Sequence, residues 1–109
     1  MNPIDIALRI ATSAHAGQLD RDGYPVILHP LTVGLIGHTD EEKMAAFLHD
    51  VVEDTSYSFE DLLHEGIPTG VVNALSILTH QPGTDYFDYV QSIIDSQNPI
   101  ALQVKYNDL

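Results

Sequence analysis

The sequence has 109 residues, 44% of them hydrophobic, with 4 Lys and Arg against 16 Asp and Glu and a formal net charge of −12. That length suits one domain with one core and leaves no room for a second, and the acidity argues against binding nucleic acid along a basic face. Cysteine is absent, so disulfides, thiolate metal sites and cysteine nucleophiles are excluded, and any metal would be held by His, Asp or Glu. No apolar run approaches the ~20 residues of a membrane span. The start, Met1 to Asp5, lacks the basic and apolar regions of a signal peptide. A cytoplasmic location is the expectation.

Asn2 or Pro3 opens a first helix, on which Ile4, Ala7, Leu8, Ala11, Ala14 and His15 recur with helical spacing before Gly17 ends it. Residues 18 to 25 read as a loop, and the apolar run Val26, Ile27, Leu28 is too short to assign. His29-Pro30 follows, placing His29 at the N-terminal edge of a helix over residues 31 to 37. After a turn at Gly37 to Asp40, Thr39 or Asp40 caps a third helix with Glu41 and Glu42 in its first turn. Met44, Ala45, Phe47, Leu48, Val51 and Val52 make this helix apolar nearly all round, as a buried helix should be.

Ser58 and Asp61 form a capping box for a short helix through His64, which Gly66 stops. Pro68 starts another, with Val71, Val72, Leu75, Ile77 and Leu78 apolar, broken at Gln81-Pro82-Gly83. Thr84 or Asp85 caps a sixth helix through Ile94, carrying Tyr86, Phe87, Tyr89, Val90, Ile93 and Ile94. Pro99 begins the last, with Ala101, Leu102, Val104 and Tyr106. No strand of convincing length is present. The expected fold is all-α: a compact bundle of six or seven short helices.

Chemistry concentrates in residues 46 to 55, where His49, Asp50, Glu53 and Asp54 lie within six positions at the end of the most hydrophobic helical segment. His29, His49 with Asp50, and Asp108 are the candidate metal ligands. Two imidazoles and two carboxylates would hold one divalent cation and leave positions for water and substrate oxygen. Such a cation lowers the pKa of water and polarises a phosphoryl oxygen, which makes hydrolysis the natural reaction. Glu53 or Asp54, one turn further on, is placed to orient that water or take its proton, although both also suit a solvated helix end. His15, His38, His64 and His80 show no partner pattern, and the five tyrosines read as core or rim aromatics. Of the four cations, Arg9 and Lys43 read as surface groups. Arg21, shortly before His29, and Lys105, one turn before Asp108, can serve a phosphate near the metal.

These motifs are similar to a known family. Ala14-His15-Ala16-Gly17-Gln18, then Gly23 to Leu31 with its Gly-x-Pro-x-x-x-His-Pro pattern, then Ala46-Phe47-Leu48-His49-Asp50-Val51-Val52-Glu53-Asp54-Thr55, then Lys105 to Leu109, resemble in the same order the HD-domain hydrolases of the RelA/SpoT type. The likeness is to small stand-alone members. It implies an all-α HD domain over residues 1–109, lacking its C-terminal helices because the chain stops directly after Asp108. It implies a (p)ppGpp 3′-pyrophosphohydrolase, releasing GDP or GTP and pyrophosphate, with a single Mn²⁺ or another divalent metal. The metal ligands would be His29, His49, Asp50 and Asp108, the water-activating pair Glu53 and Asp54, and the substrate-binding residues Arg21 and Lys105. The family's second basic residue in the loop before His-Pro is Asp20 here, so an HD hydrolase of another nucleotide, or a metal- and nucleotide-binding domain without turnover, is the alternative. The expected partner is a small anionic nucleotide, with neither nucleic acid nor membrane, and assembly into a homo-oligomer is left open.

Overall fold

Asn2 starts the fold by turning its side-chain oxygen onto the amide of Ile4 at 2.9 Å, which satisfies one of the unpaired donors at a helix start. The computed structural model describes residues 2–109 and, among them, eight helices: α1 (Pro3–Ala14), α2 (Leu28–Leu35), α3 (Asp40–Leu48), α4 (Val51–Asp54), α5 (Phe59–Glu65), α6 (Thr69–Leu78), α7 (Tyr86–Ser96) and α8 (Pro99–Asp108). The only sheet-like feature among the described residues is a single antiparallel bridge between Leu19 and Pro25. No helix among them is long and apolar enough to cross a membrane.

α3 is the centre. Met44 to Leu48 are five consecutive buried residues, and α1, α2, α6 and α8 all pack against this helix. Its neighbours supply the rest of the core: Ala7, Ile10 and Ala11 from α1, Val33 from α2, Val71 and Leu75 from α6, Val104 from α8. Caps fix the boundaries that the composition predicts. Thr39 caps α3, Ser58 and Asp61 close a reciprocal capping box on α5, and Asp85 and Asn98 cap α7 and α8. Gly66, at φ 103°, ends α5 in the left-handed conformation that a side chain would strain.

Three expectations are corrected. The second helix begins at Leu28, three residues before the predicted 31, because Pro30 falls at its third position, where a missing amide costs nothing. The third helix does not run on through Val52. It stops at Leu48 and restarts as the single turn α4, which joins the seven longer helices as an eighth, one-turn element. The cause is His49: its Nδ1 lies 2.5 Å from the Ala46 carbonyl, the acceptor that the Asp50 amide would use in a continuous helix. Third, several residues predicted on apolar faces are open to solvent, namely Tyr86, Phe87 and Ile94 on α7 and Tyr106 on α8, while Tyr89, Ile93, Ala101 and Val104 carry the burial.

Gly34 sets how closely α2 approaches α3. A Cβ there would be driven into the buried ring of Phe47, which has no free side to yield into. Gly34→Ala is therefore expected to cost about 1–3 kcal/mol through overpacking, read as a lowered denaturation midpoint at unchanged slope. An unchanged midpoint would mean that the two helices separate freely.

Candidate metal centre and its cavity

Four side chains predicted as ligands come from three elements and meet at the α3–α4 break. His29 projects from the first turn of α2, Asp108 from the last turn of α8, and His49 and Asp50 are the break itself. His29 Nε2 lies 2.7 Å from Asp108 Oδ1, bridging residues 79 positions apart. His49 Nε2 is 3.2 Å from Asp50 Oδ2 and 3.7 Å from Asp108 Oδ1. The two imidazole rings stand edge-on with centroids 5.6 Å apart. His29, His49 and Asp50 offer ligand atoms that all lie within 4.8 Å of one another.

A carbonyl only accepts, so Nδ1 carries the proton that is donated to Ala46, and Nε2 is left facing two carboxylates. Two carboxylates beside an imidazole that is only 9% exposed call for positive charge, which a proton on Nε2 or a bound cation supplies. Ligand atoms at about 2.1 Å from one divalent ion are separated by about 3.0 Å in octahedral geometry. The spacings of 2.7, 3.2 and 3.7 Å bracket that value. His29, His49 and Asp50 thus form a grouping that could hold a divalent cation, with Asp108 beside it on His29, and the Nδ1 hydrogen bond of His49 is the kind of outer contact that fixes a metal-binding imidazole.

Beside the cluster is a cavity of about 210 Å³ lined by His49, Asp50, Glu53, Tyr86, Lys105 and Asp108, among others. A second, larger cavity of about 550 Å³ shares Glu53 and His80 with it and adds Asp54 and the turn from Thr79 to Thr84. Glu53 is held in place: its Oε1 accepts the His80 amide at 2.6 Å. Asp54 has its carboxyl pushed above the usual range, first by partial burial and then by the charge of Asp50, with His15 and His49 pulling the other way.

The remaining predicted residue, Arg21, is exposed in the loop and lines neither cavity. The loop's acidity has a structural cause. Asp20 uses one carboxylate oxygen to accept the amides of Asp22 and Tyr24, at 2.9 and 3.0 Å, and so closes the turn. Among the four cations, Arg9 pairs with Glu65 and Lys43 donates to the Gly37 carbonyl, while Arg21 and Lys105 have no carboxylate within 4.0 Å among the described residues.

His15 and His80 show no partners in the sequence, and Tyr86 and Tyr89 read there only as core or rim aromatics; the structure supplies their contacts. His15 is buried, its Nδ1 held by Gln18, and His80 stacks on Tyr89 at 4.4 Å with 9° between the rings. Tyr86 joins Tyr89 and His80 as the aromatic wall of the smaller cavity. No spacing rule links these residues; only the proximity of Gln81-Pro82-Gly83 to Tyr86, a tight turn returning the chain, hinted at it. The Tyr89 hydroxyl donates to the Leu78 carbonyl. Burial, reinforced by Glu53 and Asp108, pushes its pKa up to about 12. Because the fold favours the neutral phenol, stability is lost as pH rises from about 10, where an unfolded tyrosine ionises, to about 12. A tyrosine absorbance titration should show a last step near 12 that Tyr89→Phe removes.

Within an all-α fold, two imidazoles and two carboxylates thus gather beside a cavity of about 210 Å³. No family model matches the chain. Over 60 residues, 51% of this chain, it is 50% identical to the guanosine-3′,5′-bis(diphosphate) 3′-pyrophosphohydrolase of Haemophilus influenzae, of which it spans 9%. It is 46% identical over 63 residues to a probable GTP pyrophosphokinase of Mycobacterium leprae, covering 54% of this chain and 8% of that protein. Among solved structures, a metazoan ortholog of SpoT that hydrolyzes ppGpp superposes with a TM-score of 0.81 at 26% identity, over 99% of this chain and 66% of the other. The chain thus spans less than a tenth of the curated relatives it matches. The resemblance to the RelA/SpoT-type HD hydrolases, read from the motifs, is borne out by these homologues, and the all-α HD fold by the structural neighbour.

Proposed function

We propose that this chain is a metal-dependent (p)ppGpp 3′-pyrophosphohydrolase, converting ppGpp and water to GDP and pyrophosphate, and pppGpp to GTP and pyrophosphate. The observation that carries the reading is the convergence of His29, His49, Asp50 and Asp108, donors of the kind that bind a divalent cation, from three elements at one point. His29, His49, Asp50 and Asp108 would hold it, and Mn²⁺ is the proposed ion. When bound, a divalent ion supplies Lewis acidity toward water and phosphoryl oxygen.

In the proposed reaction a water oxygen forms a bond to the phosphorus attached at the 3′ position, and the bond from the 3′ oxygen to that phosphorus breaks. Glu53, fixed by the His80 amide, orients the water. Asp54, whose carboxyl pKa is raised by partial burial and by the charge of Asp50, takes the water's proton. The 3′ oxygen leaves with a proton as the nucleotide hydroxyl. Lys105 at the cavity wall meets the phosphates, and Arg21, which lines neither cavity, would approach them only from the loop. A guanosine nucleotide substrate implies a cytoplasmic location.

The test is product analysis with Mn²⁺ and a panel of nucleotides. GDP and pyrophosphate from ppGpp, abolished by a chelator and restored by Mn²⁺, is the expected result. Turnover of another nucleoside phosphate in preference to ppGpp would reassign the substrate, and nucleotide binding without turnover would remove the enzyme. The Asp20 turn gives the first of these outcomes its footing, because it leaves Arg21 as the loop's single cation.

A further inference from the structure

Lys105 stands on the wall of the smaller cavity beside three carboxylates, Asp50, Glu53 and Asp108, in a protein of net charge −12. An ammonium on a flexible stem in such a place would be expected to collapse onto one of them. It does not. Its Nζ lies 5.2 Å from the ring centroid of Tyr86 and 5.1 Å from that of Tyr89, with no carboxylate within 4.0 Å among the described residues. Both distances are within the range of cation–π attraction.

The arrangement is built in layers. Tyr89 is buried and anchored through its hydroxyl to Leu78, and His80 stacks flat against it. Tyr86 leans on that pair, its centroid 6.0 Å from Tyr89 and 6.4 Å from His80. Two of the carboxylates are meanwhile occupied, Glu53 by the His80 amide and Asp108 by His29. An aromatic face attracts a cation without neutralising it and accepts no conventional hydrogen bond, so the ammonium keeps its charge and its donors for another acceptor. A carboxylate partner would have offset the charge and taken at least one of the three donors.

We propose that Tyr86 is a positioning residue that holds Lys105 unpaired, making it the anion-binding cation of this cavity for a phosphate or pyrophosphate group. The proposal rests on the reading that the cavity takes a nucleotide polyphosphate. Tyr86 is more than half exposed, so replacing it leaves the core intact.

The experiment compares Tyr86→Phe, Tyr86→Leu, Lys105→Met and the double variant Tyr86→Leu, Lys105→Met in the whole chain. Its first readout is the ε-methylene NMR signal of Lys105, which is readily assigned because Lys43 is the only other lysine. Ring currents should displace it in the parent and in Tyr86→Phe, and Tyr86→Leu should return it toward the position of an ordinary solvated lysine. The second readout is the affinity for inorganic pyrophosphate with Mn²⁺ present. It should weaken about fivefold in Tyr86→Leu and less than twofold in Tyr86→Phe, with no further loss when Tyr86→Leu is added to Lys105→Met. On ppGpp the same change should appear in KM with kcat kept. An unmoved Lys105 signal overturns the geometry, and additive losses in the double variant overturn the role. If ppGpp is not hydrolysed while the pyrophosphate effects are non-additive as described, the positioning stands and only the substrate assignment falls.

Discussion

Replacing His49 with Ala should strip the protein of its divalent metal and lower ppGpp hydrolysis by about 10³-fold or more, since the metal's contribution to such a reaction is several kcal/mol. The size of the effect follows from the several tasks of this one ring. Its Nδ1–H satisfies Ala46 and ends α3, and its Nε2 faces both Asp50 and Asp108. Removing it takes a donor from the ion and also frees the Ala46 carbonyl, so that Asp50 is drawn back toward a continuous helix and away from the site. His38→Ala is the matched control: that imidazole is 81% exposed and lines neither cavity, so metal content and rate should stay within twofold. Metal content and far-ultraviolet circular dichroism of the same samples separate a lost ligand from a lost fold. A His49→Ala protein that keeps its metal and its rate would sink the ligand assignment.

How much of this was legible in the amino-acid order depends on how local the governing interaction is. Capping is local, so the Ser58–Asp61 box, the Thr39 cap and the Gly66 stop are readable from spacing alone. The break at His49 is local too, yet it escaped: the periodicity of Ala45 to Val52 is helical throughout, and what ends the helix is a side-chain proton competing for Ala46. Asp20 carried a different ambiguity. As a charge it weakens an anion-binding loop, and only the two amides on its oxygen show that it serves the turn. The meeting of His29 with Asp108 is a tertiary event between the first turn of one helix and the last of another, 79 residues apart. Motif resemblance could suggest that meeting; periodicity could not. The aromatic wall of His80, Tyr86 and Tyr89 had neither a motif nor a spacing to announce it, because its members belong to two elements that a turn folds back on each other.

The double change Glu53→Gln, Asp54→Asn should lower kcat by about 10²–10⁴-fold while metal content holds and KM shifts only a few-fold. This profile is the opposite of the His49 variant, where metal and rate go together. Glutamine keeps an oxygen for the His80 amide now bonded to Glu53 at 2.6 Å, so the geometry is conserved and the charge alone is removed. The pH dependence separates the two carboxylates. Partial burial and the field of Asp50 raise the Asp54 pKa, so as pH falls Asp54 takes up its proton sooner than an ordinary Asp, and the rate should fall with it. Asp54→Asn should flatten this acid limb at a low rate, and Glu53→Gln should keep its position. Because a cation at the ligand cluster offsets the negative field of Asp50, it moves the limb to lower pH, and burial remains as the cause of the shift. The direction of stability is consistent with that of activity. A raised carboxyl pKa means the fold holds the proton more tightly than the unfolded chain does. Deprotonation above the folded pKa therefore costs stability, and Asp54→Asn should be neutral or slightly stabilising at pH 7 while it disables the reaction. A double variant as fast as the parent protein would take both carboxylates out of the mechanism.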